Sequence, residues 1–355
     1  MAAKKKSKRR SILPKIIVVV FLLMLTIGGG LAYRYYSMIY SPNVVLENPD
    51  SPWFYIHTGS GFEDVVNGLY EEGYITNRSS FEWVAERKHY PTQVKAGRYR
   101  LKAGMNNDAL VNLLRSGEQE PINIVFNHLR TLNDLAGRVG KQIEADSASI
   151  AEKLHDPEVV KHYGFTDETF SAMFIPNTYE VYWNTSADEF LARMAREFKS
   201  FWNDERVVKA NAIGLSQSEV VTLASIVKAE TNMKEDMPRI AGVYINRIKK
   251  GIPLQADPTL IFGIGDFSIR RVLDVHKEIE SPYNTYKYKG LPPGPINFPA
   301  TVYVDAVLNY ERNNYIYFCA REDFSGYSNF AATYREHLVN ARKWQRALDK
   351  RKIYK

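Results

Sequence analysis

The chain is almost without cysteine. Cys319 is the only one in 355 residues, so no intramolecular disulfide can staple the fold, and stability must come from packed cores, which this length permits. Cys319 sits in Tyr315-Ile316-Tyr317-Phe318-Cys319-Ala320, a run that reads as a buried strand with the thiol as packing. Metal chemistry has little to draw on either. The seven histidines are scattered and no His-x-x-x-His occurs, so neither a metal nor a cofactor is expected. Walker A, Rossmann and Gly-x-Ser-x-Gly signatures are all missing, and Gly263-Ile264-Gly265 reads as a turn. The net charge of +7 is concentrated at the N-terminus, in Lys4, Lys5, Lys6, Lys8, Arg9, Arg10 and Lys15. The rest is close to balanced, which argues against nucleic acid as a partner. No internal repeat or further low-complexity segment occurs.

What is present begins with Ile16 to Tyr33, a stretch without a charge and just long enough to cross a bilayer as a helix. The basic residues before it place 1–15 in the cytoplasm and the bulk of the chain outside the inner membrane, with Tyr33, Tyr35 and Tyr36 at the outer interface. A cleaved signal peptide is the rival reading, since Gly28-Gly29-Gly30-Leu31-Ala32 offers small residues. The apolar run exceeds a typical signal core and lacks a clean A-x-A, which favours a retained anchor. The expected layout is a cytoplasmic tail at 1–15, a transmembrane helix at 16–36 and a tether at 37–52. A small module at 53–120 and a larger domain at 121–355 follow.

The small module reads β-α-α-β-α: a strand at 53–57, helices at 62–72 and 79–88, a strand at 95–101 and a helix at 107–116. It carries no cluster of chemical side chains, so binding or spacing is its default role. Beyond it come a strand at 122–126, a helix at 132–143, a polar insert over 144–170 and a helix at 186–202. The chain closes on a strand at 315–320 and a basic helix at about 332–352. The whole is expected to be α+β.

The stretch that organises the larger domain is Ser216 to Thr259. Ser216-Gln217-Ser218-Glu219 fits a capping box. Val220, Leu223, Ala224 and Val227 then mark one helical face, widened by Val221 and Ile226. Glu230 ends the run, with Ile226 and Val227 four and three residues before it. Two readings stand: an exposed glutamate at a helix end, or a shielded carboxyl whose pKa is raised by poor solvation, as suits a general acid. The turn-rich segment Tyr283-Asn284-Thr285-Tyr286 and Gly290-Leu291-Pro292-Pro293-Gly294-Pro295 suits a rigid cleft wall or a plain connector. An excess of Tyr (23) over Trp (5) is compatible with a carbohydrate surface or an ordinary core.

Five ordered motifs carry a resemblance: Ala224-Ser225-Ile226-Val227-Lys228-Ala229-Glu230-Thr231, Tyr244-Ile245-Asn246-Arg247, Leu254-Gln255-Ala256-Asp257-Pro258-Thr259, Tyr283-Asn284-Thr285-Tyr286 and Gly290 to Ile296. Together they resemble the MltG (YceG-like) family of endolytic murein transglycosylases. The resemblance implies a single N-terminal transmembrane helix, a LysM-like module at 53–120 and a catalytic α+β domain. It departs from the family at Lys228, where an acid is common, at Phe262, where a Tyr is usual, and at Ser328, where a His often precedes a Phe.

The resemblance implies non-hydrolytic cleavage of peptidoglycan strands at an inner-membrane site, with Glu230 as acid and then base, without metal or cofactor. Asn246, Arg247, Gln255, Asp257, Asn284 and Tyr286 are the expected substrate-binding residues. From the residues alone, Asn246 reads equally as a helix-end cap, Gln255 as a loop residue, Asp257 as a turn former and Arg247 as half of an ion pair. Peptidoglycan synthases are expected partners. Two alternatives stay open: a non-catalytic peptidoglycan-binding scaffold, and a water-using glycoside hydrolase with Asp257 as base.

Overall fold

A computed structural model describes residues 13–48 and 50–351. The expected basic tail therefore lies mostly outside the described residues, as do Pro49 and Lys352, the last residue of the expected C-terminal helix. The described chain is mixed α and β and divides into two compact units. The first runs to Ile122 and takes in Tyr182–Asn184; the second comprises Asn123–Val181 and the chain from Thr185 onward.

The first unit opens with helix α1 (Leu13–Tyr40). Within its Lys15–Tyr40 portion an 18-residue stretch has mean hydropathy 2.5 and is not buried within the protein, so by length and composition it can cross a membrane. Strand β1 (Trp53–Ile56) pairs antiparallel with β2 (Gly97–Arg100), Trp53 opposite Arg100. Helices α2 (Phe62–Glu71), α3 (Arg78–Arg87) and α4 (Asn107–Ser116) pack on that ribbon. A two-stranded ribbon is marginal in water. The helices supply the missing apolar surface, through Val66, Leu69, Phe81, Leu110 and Leu114, all fully buried.

The tether expected at 37–52 is a correction. Helix α1 continues to Tyr40, and Tyr35 stacks on Trp83 at 5.3 Å instead of standing free. Val44 belongs to the module core. Asn43, 3 % exposed, donates to Asn77 O at 3.1 Å and to Asn107 Oδ1 at 2.7 Å, and accepts from Thr76 Oγ1 and the Asn77 amide. Asn107 in turn donates to Met38 O and Ser80 Oγ. Asn43 and Asn107 thus hold the end of α1 to the module. Asn43→Ala orphans several buried groups at once and is expected to destabilise this unit by about 2–4 kcal/mol. Thermal melts of the detergent-solubilised protein check it; an unchanged transition would mean that water replaces the network.

The second unit is mainly helical. Strand β3 (Ile122–Val125) pairs with β4 (Thr178–Val181), and between them lie α5 (Leu132–Val139), α6 (Ser147–Leu154) and α7 (Pro157–His162). Helices α8 (Ala187–Phe201), α9 (Asp204–Ile213), α10 (Gln217–Glu230), α11 (Met237–Lys249), α12 (Asp257–Ile264) and α13 (Thr301–Leu308) follow. The chain then forms an antiparallel hairpin of β5 (Tyr317–Ala320) and β6 (Ser328–Ala331), and ends on α14 (Tyr334–Lys350). Cys319 is only half-buried, on the hairpin; the buried strand expected for it is a second correction.

Helix α10 is the axis of this unit. It packs against α9, α11, α12 and α13, and every residue from Val220 to Val227 is buried. The single apolar stripe expected from the sequence is thus too narrow, since Thr222 and Ser225 are buried too. A helix covered on all sides must satisfy its polar side chains locally. Both do, Thr222 Oγ1 to Ser218 O and Ser225 Oγ to Thr222 O. The capping box forms as the spacing predicts, with Glu219 accepting from the Ser216 amide and Ser216 from the Glu219 amide.

Candidate active site

Glu230 is the last residue of α10, and Thr231 leaves the helix in extended conformation. Its carboxyl is therefore carried to the end of a helix whose middle is buried on every side. Burial pushes its pKa from 4.5 up to about 7, and the nearby Asp257 carboxylate pushes the same way. The negative end of the α10 dipole adds to this preference for the neutral acid. One interaction opposes them: Tyr244 Oη, from α11, donates to Glu230 Oε1 at 2.8 Å. The Tyr244 phenol is itself held well above its usual pKa, first by burial and then by the facing Glu230, so it remains a donor.

Asp257 is the first residue of α12 and is exposed. Tyr286 Oη donates to its Oδ1. Burial, that hydrogen bond and the nearby carboxylates raise the Tyr286 pKa, keeping the phenol protonated. Glu230, Tyr244, Asp257 and Tyr286 thus form one cluster of two carboxyls, each with its own phenol.

The other expected binding residues fare differently. Asn284 is fully buried, and its amide is committed on both sides: Nδ2 to Lys277 O and Ile279 O, Oδ1 from the Tyr286 and Lys287 amides. It cannot reach a sugar; it folds the turn that presents Tyr286. Asn246 spends its Nδ2 on Asn313 and on Tyr315 O, so it pins a loop. Arg247, 6 % exposed, forms no ion pair with a carboxylate among the described residues. It donates to Pro253 O, Ile316 O and Gln255 Oε1, and burial lowers its pKa. Gln255 is the exposed end of that chain, held in left-handed conformation at φ 54°, a strain that a non-glycine accepts only when its surroundings enforce it.

The proline-rich segment forms a wall stitched to α10. Ile296 N donates to Ser225 Oγ, Asn297 Nδ2 to Ser225 O, and Lys228 Nζ to Phe298 O at 2.7 Å. Gly294 is required there by contact, since an added Cβ lies 1.8 Å from the Glu168 carbonyl oxygen. Beside this wall opens a pocket of about 370 Å³, within the range of ligand sites. Ala229 and Pro258, neighbours in sequence of the two carboxyl residues, line it, together with Phe262 and Lys228.

Tyr244 and Lys228 lie within the quoted motifs, yet the sequence reading gave neither a role at the site. Tyr244 is the one hydroxyl in the apolar run of α11, and that was the available signal. Among the described residues no group of three or more His, Cys, Asp or Glu is placed to hold a metal ion.

The model of the YceG-like family matches residues 54–343, which is most of the chain. The chain belongs to the YceG-like family. Two similar proteins are named endolytic murein transglycosylase. The one from Bacillus subtilis is 29 % identical over 330 residues, covering 88 % of this chain and 89 % of its own length. The one from Streptococcus pneumoniae is 27 % identical over 299 residues, and the match covers 75 % of this chain but only 53 % of that longer protein. The 2.6 Å crystal structure of a yceG-like protein from Listeria monocytogenes is 27 % identical, with a TM-score of 0.54 covering 81 % of this chain and 97 % of that one.

Proposed function

We propose that this YceG-like protein is a lytic transglycosylase of peptidoglycan, a lyase that cuts within glycan strands at the β-1,4 bond from N-acetylmuramic acid to N-acetylglucosamine. The observation that carries the reading is Glu230, a carboxyl with a pKa of about 7 beside a ligand-sized pocket. The names of the relatives supply the substrate.

In the proposed reaction, protonated Glu230 donates to the glycosidic oxygen as the C1–O bond breaks. The muramyl ring takes on oxocarbenium character, which the adjacent Asp257 carboxylate stabilises. The Glu230 carboxylate then removes the proton from the muramyl C6 hydroxyl, and O6 closes on C1 to give a 1,6-anhydro end. One group serves as acid and then base, and no water is consumed. Ordinary glycosidases need two carboxyls at set separations because water or the enzyme is the nucleophile. Of the expected binding residues, Gln255 and Tyr286 are the ones left to bind substrate beside Asp257.

Helix α1 is read as a retained single-pass anchor, N-terminus in the cytoplasm, that keeps the catalytic unit on the outer face of the plasma membrane. The first unit is read as a LysM-like wall-binding module. An enzyme so placed cuts nascent strands near their synthases and limits their length.

The test is to digest purified peptidoglycan with the full chain in detergent and weigh the products. Anhydromuramyl ends, lighter by one water than reducing ends, are expected. Reducing ends would make the protein a hydrolase and transfer the base role to Asp257. Binding without cleavage would leave a scaffold.

A further inference from the structure

The pocket beside the acid pair has a charge that the proposed bond cleavage does not use. Lys228, Arg130 and His128 line it, and no carboxylate is among its lining residues. The same His128–Arg130 segment lines a second, adjoining hollow of about 620 Å³ that adds Arg138 and Lys141. Asp134 is the one acid there, and its Oδ2 is turned to the start of α5, accepting from the Thr131 and Arg130 amides.

The cations are held in place. Lys228 Nζ donates to Phe298 O, and Phe298 N donates to Leu129 O, which sits between His128 and Arg130. The Arg130 guanidinium lies 4.6 Å over the Phe267 ring. Among the described residues neither Lys228 nor Arg130 forms a close ion pair; the nearest acid to act on Arg130 is Asp134, whose pKa it helps to lower. Asn297, which also lines the pocket, keeps Oδ1 buried without a partner. It is an acceptor that a small shift can offer to a peptide N–H. The half-buried Lys228 and the exposed Arg130, beside a spare acceptor, make a poor surface for neutral sugar and a good one for an acidic peptide.

We infer that this pocket and its basic extension form a subsite for the carboxylate-bearing peptide stem of a muramyl residue next to the cleaved bond, with Arg130 and Lys228 pairing the carboxylates. This rests on the proposed function, and it makes the enzyme selective for glycan whose stems keep their carboxylates.

The experiment compares two glycans, one with intact stems and one whose stem carboxylates are converted to carboxamides, cut by the full chain in detergent. The glycan with intact stems is expected to show roughly tenfold higher kcat/KM, chiefly through KM, the scale of a charge-assisted hydrogen bond near the surface. In Arg130→Gln that ratio collapses toward one; Arg130 is exposed, so the variant should fold. Lys228→Gln gives the same collapse, with some loss of stability from its carbonyl contact. Equal cleavage of both glycans by the wild type, or an Arg130→Gln loss shared equally by both, overturns the subsite. If neither glycan is cut, the catalytic reading has failed and binding decides the subsite separately. Calorimetry with a disaccharide-peptide and its carboxamide counterpart should then show tighter binding of the acid by the wild type. Equally tight binding of the acid by the wild type and by the Arg130→Gln variant sinks it.

Discussion

Glu230→Gln is expected to lower turnover on peptidoglycan by at least roughly 10²–10⁴-fold, the usual scale of general acid–base help from one group. In the proposed cycle the same carboxyl acts twice, so the loss should lie at the upper end and leave no detectable product. The pH profile is the sharper check. Only the protonated acid can donate to the leaving oxygen. With a pKa of about 7, kcat/KM should be level below neutrality and fall tenfold per pH unit above it. Two neighbours should move that limb in opposite directions. Asp257 raises the Glu230 pKa and Tyr244 lowers it, so Asp257→Asn should shift the limb to lower pH and Tyr244→Phe to higher pH. Shifts of the same sign would mean that the limb belongs to another group.

Much of this site could be read from the chain alone, and the part that could not has a common cause. The capping box at Ser216, the helix behind it and the shielded Glu230 are local: they depend on residues three and four apart. The partners of Glu230 are not local. Tyr244 reaches it from a second helix, and nothing in the spacing of α11 indicates which turn faces α10. Asn284 and Asn246 were expected at the substrate because amides suit sugars. Composition cannot say whether an amide points at solvent or at buried carbonyls, and both are spent on backbone. Arg247 misled in the same way, because its partners are carbonyls from Pro253 and Ile316. Strand β6 escaped because Ser328-Asn329-Phe330-Ala331 has weak strand preference. It exists by pairing with β5, through a turn in which Phe324 and Gly326 both take positive φ.

The placement of Glu230 should also appear as a cost in stability, with a definite dependence on pH. In the unfolded chain its carboxyl titrates near 4.5, and in the folded protein near 7. Between those values the native state holds the proton more tightly, so stability is full below pH 4.5 and is lost as pH rises through about 7. The interval corresponds to about 3 kcal/mol once the acid is fully ionised. Glutamine fills the same space without a charge to bury. Glu230→Gln should therefore unfold close to the wild type at about pH 5 and be more stable at about pH 8, by up to about 3 kcal/mol, in the transition of the second unit. Asp257→Asn should recover part of the same gain at the higher pH, because it removes the second cause of the raised pKa. Thermal or urea melts of the three proteins at both pH values decide it. A Glu230→Gln gain of equal size at both pH values would show that the benefit is not electrostatic and that the carboxyl is not poised near neutrality. A gain confined to high pH, in a variant without turnover, would mean that the enzyme gives up stability to keep a protonated acid at the end of its central helix.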